Sequence, residues 1–230
     1  MRIGIIAEGH ADVNIIKAVI KALTGIDKED MVSIRPCEQR DETDNKSLNY
    51  SNWYDVLQTC SDAILLTAFF DVLDDDAMVV VQIDTAERGD QNYGVPEPQR
   101  TGSMDWKAYS DSLYAQVKTK IDSLIPQPYR GKVAYAIAIE ETDAWVIPLF
   151  ANKYSDTSSI ATPKEHLQKL IKGNKAYVDA AHKNLDYEKL GKAMAKKLNF
   201  CRSANQSLDL FCLDIESRLS PKSSPIVRQI

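Results

Sequence analysis

Only four of the 230 residues are cysteine and three are histidine, and none of Cys37, Cys60, Cys201 and Cys212 stands at CxxC spacing. That argues against a structural zinc site, and the thiols read as reduced, as in a cytoplasmic protein. No GxxxxGK[ST] run occurs, so the chain lacks the P-loop route to nucleotide hydrolysis. No GxGxxG follows an apolar run either, which weighs against a flavodoxin-like or other doubly wound nucleotide binder. The opening MRIGIIAEGH meets an acid after a very short apolar run, so neither a signal peptide nor a membrane span is expected there. A basic excess is also missing. Lys and Arg number 28 against 33 Asp and Glu, a net charge of -5, and the sequence pI is near 5.3. The overall charge balance therefore does not offer the basic face a long nucleic acid usually needs, although local basic stretches remain. Two local basic stretches, Lys164 to Lys175 and Lys189 to Lys197, read as solvated helix faces.

What is present is ordinary globular composition, 44% hydrophobic and 27% charged, enough for a sizeable core. Short apolar runs predict strands over Arg2–Ala7, Met31–Arg35, Met78–Ile83 and Val133–Ile139. Helical spacing predicts helices over 12–23, 53–66, with Trp53, Val56, Leu57 and Ile64 inward, and 104–124. A further helix is expected over 142–150, with Thr142 as its N-cap, and others over 163–171, 186–198 and 203–219. Residues 37–52 and 88–104 read as loops, Asp74 to Asp76 as a turn, and no strand is expected after about Asn152. Strands alternating with helices predict an α/β fold, a mostly parallel sheet with helices on both faces, plus a C-terminal helical extension. The expected division is an α/β domain over 1–151, an extension over 152–219 packed on it, and a frayed tail over 220–230.

Three of the expected strands run into acids: Glu8, then Asp84, then Glu140 and Glu141 with Asp143 close behind. Ligands of open parallel sheets bind beyond the carboxyl ends of the strands. If these strands are neighbours, their acids converge. Crowded carboxylates resist ionising, and a divalent cation relieves that cost. Magnesium suits such a site because it takes oxygen ligands and often needs only one or two carboxylates plus substrate phosphate. Acids after strands are also common for a plainer reason, since helix starts favour negative charge. Asp12 reads as such a helix-start acid rather than a ligand, and His10 as an exposed turn histidine. His166 and His182 read as surface residues, Trp145 as core packing, and no Ser-His-Asp or Cys-His set can be assembled.

The segment RIGIIAEGHADVNIIKAVI resembles the first motif of the TOPRIM fold, in which an apolar strand ends in Glu-Gly and turns into a helix. VAYAIAIEETDAWVIPLF is similar to a segment of small TOPRIM-like proteins of unassigned function, some of them found in bacterial defence against phage. The resemblance covers roughly residues 1 to 150. It implies a Mg2+- or Mn2+-dependent nuclease or related phosphoryl-transfer protein acting on nucleic acid, with Glu8 as metal ligand or general base. It further implies an Asp-x-Asp at a later strand end. Asp84 matches the first Asp, while Ala86 stands where the second belongs, and Glu87 or Asp90 is left to supply that oxygen.

On this reading Glu8, Asp84 and Glu140 are the catalytic candidates. Glu8, Asp84, Glu87, Glu140, Glu141 and Asp143 are the metal candidates. Gly9, His10, Arg88, Arg100 and Lys107 would touch substrate. Gly9 would let backbone approach the site and turn into the helix. The alternative is a catalytically degenerate subunit that binds a partner, such as a separate ATPase. A cytoplasmic location without a membrane partner is expected, and a homo-oligomer is compatible with either reading.

Overall fold

The computed structural model describes residues 1–37, 51–72, 76–98, 105–151, 153, 155–178 and 184–219. A sheet of four parallel strands forms its centre: β1 (Arg2–Ile6), β2 (Met31–Arg35), β3 (Ala77–Asp84) and β4 (Val133–Ala138), in the order β2-β1-β3-β4. All of β4, and β3 as far as Ile83, is buried, as expected of strands covered on both faces. The register sets Ile6 beside Val81 and Asp84 beside Ala138, so the ends of β1, β3 and β4 lie at one edge of the sheet.

Chain direction explains the rest. From β1 the chain crosses to β2 through α1 (His10–Thr24), on one face. It then returns past β1 to β3 through α2 (Trp53–Ser61) and α3 (Ala63–Asp71), and reaches β4 through α4 (Trp106–Leu124), all on the opposite face. Opposite directions on opposite faces give both crossings the same hand, and the order of connection reverses between β1 and β3. Gly25 ends α1 at φ 75, and its N–H donates to the Lys21 carbonyl, a left-handed stop that glycine adopts without strain.

The later helices are α5 (Asp143–Val146), α6 (Pro163–Ile171), α7 (Tyr187–Lys196), α8 (Leu198–Ser203) and α9 (Gln206–Leu219). They share one core with α1 and the face of the sheet bearing Ile3, Ile5, Met78 and Val80. Helix α7 lies so close to α1 that a Cβ on Gly191 would fall 3.0 Å from the Ala18 Cβ and 3.1 Å from the Asn14 carbonyl oxygen. Helix α9 covers β4, where the Tyr135 N–H donates to Asp214 Oδ2 at 3.0 Å, so a side chain satisfies an edge-strand donor.

Several boundaries differ from the sequence expectation. The helix expected over 53–66 is two helices, because Asp62 leaves helical geometry and its carboxylate accepts the Leu65 N–H at 3.0 Å, starting α3 afresh. Ile64, expected inward, is 84% exposed as a result. The helix expected over 142–150 is the single turn α5 followed by a 3₁₀ turn at Ile147–Leu149, where Pro148 has no N–H to continue an α-helix. The helix expected over 203–219 is α9 alone, preceded by α8, and the Asn205 side chain accepts the Leu208 N–H at 2.9 Å where α9 begins. The only β pairing described after Asn152 is one isolated bridge, Val178 to Leu185. Most of the loop expected over 37–52, the later part of the 88–104 loop, Asp74, Asp75, His182 and the tail lie outside the described residues. No described helix is long and apolar enough to cross a membrane.

Candidate carboxylate site

The reversal between β1 and β3 places Glu8 and Asp84 side by side. The Asp84 N–H donates to Glu8 Oε1 at 2.6 Å. Behind them lies Gln82, the one polar side chain in the run MVVVQI and fully buried. Its Oε1 accepts the Glu8 N–H at 2.9 Å, and its Nε2 donates to Asp84 Oδ1 at 2.8 Å and to Thr142 Oγ1 at 3.1 Å. One amide thus ties together the ends of three strands. Thr142 was expected to cap a helix. It makes no side-chain cap; instead its N–H and hydroxyl both donate to Asp84 Oδ1 at 3.1 Å.

Asp12 and Asp143 complete the cluster. Asp12 sits in the first turn of α1, four residues after Glu8. It is a helix-start acid, as the sequence suggests, but it also faces the site. Asp143 opens α5, and its Oδ1 accepts the Tyr187 hydroxyl at 2.7 Å, so α7 reaches the site as well. Burial is the main reason that all four acids hold their protons more tightly than usual. Glu8 is pushed up to about 8 by burial and by the charges of Asp12 and Glu87, against the opposing Asp84 N–H. Asp12 is pushed up to about 7 by burial and by Asp143, with the Thr142 hydroxyl opposing. Asp84 is raised well above the carboxylate range by burial and then by Asp12, Glu8 and Asp143. Asp143 rises to about 6 through burial and Glu141, with the Tyr187 hydroxyl and the Lys164 charge opposing.

The other expected site residues fall as follows. Glu87 is exposed on the turn after β3, and its charge reaches Glu8. Glu140 turns toward Arg88, with Arg88 Nη1 donating to Glu140 Oε2 at 3.0 Å. It adopts φ 61, a left-handed conformation uncommon for a side-chain-bearing residue. Its backbone closes the ends of β3 and β4 together: the carbonyl accepts from Thr85 N and Ala86 N, and the N–H donates to Thr85 Oγ1. Glu141 accepts the Lys164 N–H at 2.9 Å at the start of α6.

Arg88, expected to touch substrate, is buried and directs its guanidinium to Glu140, to Glu97 at 2.6 Å and to the Thr85 carbonyl at 2.7 Å. It braces the loop that carries Tyr93, whose hydroxyl donates to the Asp84 carbonyl at 2.9 Å. Gly9 has φ -152 and ψ 165, extended backbone open to any residue. Its lack of a side chain matters for space instead, since a Cβ there would lie 3.1 Å from Asp12 Oδ2. His10 is exposed in the first turn of α1. Asp90, the alternative to Glu87, is exposed and accepts the Asn92 N–H. Lys107 lines a separate polar cleft of about 610 Å³ with Arg202, and Arg202 is itself paired to Asp209 and Glu216. Arg100 lies outside the described residues.

The donor chemistry fits a hard divalent cation, since carboxylate oxygens predominate and each raises its neighbours' affinity for protons. As the side chains stand, no three His, Cys, Asp or Glu groups among the described residues are arranged to hold a metal ion. Glu8 and Asp84 form the close pair, with Asp12 and Asp143 beside them. Sequence reasoning missed Asp12, Gln82, Thr142 and Tyr187 as site residues. Gln82 was signalled by its polarity within an apolar strand, whereas nothing local to Tyr187 reveals that α7 returns to the strand ends. No family model, curated protein or solved structure matches this chain.

Proposed function

We propose that this chain is a TOPRIM-like, magnesium- or manganese-dependent nuclease that hydrolyses phosphodiesters of a nucleic acid, acting in the cytoplasm, in bacterial defence against phage. The observation that supports it is the gathering of Glu8, Asp12, Asp84 and Asp143 at the point where the sheet reverses its order of connection. Glu8 and Asp84 would hold the cation, which when bound offsets the crowded negative charge and polarises phosphate and water. The chain's own residues do the rest. Gln82 and Thr142 fix Asp84 Oδ1, and the Asp84 N–H fixes Glu8. Burial and the charge of Asp12 push Glu8 up to about 8 when no cation is bound, so a cation would bind with loss of that proton and bind more tightly as pH rises.

The test is cleavage of single- and double-stranded DNA and RNA with Mg2+ or Mn2+. Wild type should cut at least one of these polymers only with metal, and Glu8→Gln should be slower by about 100-fold or more. A wild-type protein that cuts none of them and binds no metal by calorimetry overturns the reading. That result would favour the alternative, a partner-binding subunit of an ATPase-containing complex. The exposed Ala86, standing where the resemblance places a second Asp, is the observation on that side.

A further inference from the structure

The negative net charge conceals an uneven distribution. Residues 163 to 202 carry ten Lys and Arg against four Asp and Glu, leaving eighteen against twenty-nine elsewhere. Within this basic region the two helices differ. On α7, Lys189 and Lys192 are held in ion pairs with Asp186 and Glu188, while Lys196 in its last turn and Lys197 after it are exposed. On α6 and the turn after it, Lys164, Lys169, Lys172 and Lys175 are all exposed, and none is in an ion pair among the described residues. Glu165 is the only acid between Ala161 and Val178.

The placement of α6 gives this charge a direction. The Lys164 N–H donates to Glu141 Oε2 at 2.9 Å, which sets the first turn of α6 against the end of β4, two residues before Asp143. The charge of Lys164 also eases ionisation of Asp12 and Asp143. From Lys164 to Lys172 the helix axis advances about 12 Å. At about 3.4 Å per phosphate along one strand of a duplex, that length spans roughly three to four phosphates.

We propose that the exposed lysines of α6 and its following turn, Lys164, Lys169, Lys172 and Lys175, form a phosphate track that leads a nucleic-acid strand to the carboxylate site. The inference rests on the phosphodiester reading of that site. The rest of the chain carries an acidic excess, which disfavours a polyanion there and so favours this path. A substrate surface built this way needs no basic pI, because the track is local.

Binding of fluorescent single-stranded DNA, single-stranded RNA and duplex DNA is measured by anisotropy over a salt series in EDTA, where no cleavage occurs. The variant Lys169→Glu/Lys172→Glu/Lys175→Glu leaves Lys164 intact beside the site. The comparison variant Arg2→Glu/Lys21→Glu/Lys120→Glu changes net charge equally on other elements, at the start of β1, in the last turn of α1 and on α4. For the strand the track takes, the α6 variant should weaken binding about tenfold or more and reduce the slope of log K against log salt by about 2 to 3. The comparison variant should stay within about twofold of wild type. If the α6 variant melts early, Lys169→Gln/Lys172→Gln/Lys175→Gln should still lower the slope. Equal weakening by both variants, wild-type binding by the α6 variant, or wild type binding phosphatidylserine vesicles but no oligonucleotide would each overturn the track. Retained binding without metal-dependent cleavage would sink the nuclease reading and leave the track standing.

Discussion

Replacing Glu8 with Gln should stabilise the fold at alkaline pH, and the size of the gain follows from the site's charge. Gln keeps an oxygen to accept the Asp84 N–H, which Glu8 now accepts at 2.6 Å, while removing the ionisable group. Glu8 is raised from 4.5 to about 8 in the fold, first by burial and then by Asp12 and Glu87. Between these values the native state holds a proton that the unfolded chain releases. Stability from this group is therefore fully present below pH 4.5, falls as pH rises toward 8, and levels off above it. At about 1.4 kcal/mol per unit the shift sets a ceiling of about 5 kcal/mol. Coupling to Asp12 and partial contact with solvent reduce that to about 2 kcal/mol. For a chain of this length such a change moves Tm by about 4–8 °C.

The assay is thermal unfolding of wild type and Glu8→Gln from pH 5 to pH 9 in EDTA, followed by wild type at pH 8 with Mn2+. Glu8→Gln should melt higher at pH 8 to 9, and the gap should close toward pH 5, where Glu8 is protonated and resembles Gln. Mn2+ should raise the wild-type Tm at pH 8 and raise that of the variant less. A gap of constant size across the whole range, or a variant that melts lower at pH 8 and above, would refute the charge argument.

Two further perturbations test the bracing around the site. Arg88→Met removes the guanidinium from buried Glu140, and chemical denaturation should show a loss of about 3–5 kcal/mol, most of it recovered by Arg88→Met/Glu140→Gln. Gly191→Leu forces a side chain into the contact with Ala18 and Asn14, and it should cost about 1–3 kcal/mol by the same measurement.

The sheet was legible in the sequence because strands buried on both faces leave continuous apolar runs. Met31–Arg35 is found where expected, and the run MVVVQI, from Met78 to Ile83, marks β3 within a residue at each end. The convergence of Glu8 and Asp84 followed from the same strands once β1 and β3 proved adjacent. Helix breaks were less visible. Asp62 interrupts an otherwise apolar helical pattern by capping its own C-terminal neighbour, a local competition that spacing does not register. The membership of Asp12 was ambiguous, because an acid in a first helical turn has a sufficient reason to be there already. Glu140 is the converse case: the acid at the strand end was visible, but its pairing with an arginine from another loop was not, because no local pattern announces it.

The helices after Asn152 do more than cover the sheet. Leu190, Met194, Leu208 and Phe211 meet Ile3, Ile5 and Val80 in one apolar mass, Tyr187 holds Asp143, and Ser207 accepts the indole N–H of Trp145. A truncation at Ala151 would therefore uncover β4 and the flank of α1 on that side of the sheet and deprive an acid at the strand ends of its hydroxyl donor. Anyone seeking a minimal excisable unit would have to carry the second half along, and an ancestor lacking it would have needed another cover for the same surface.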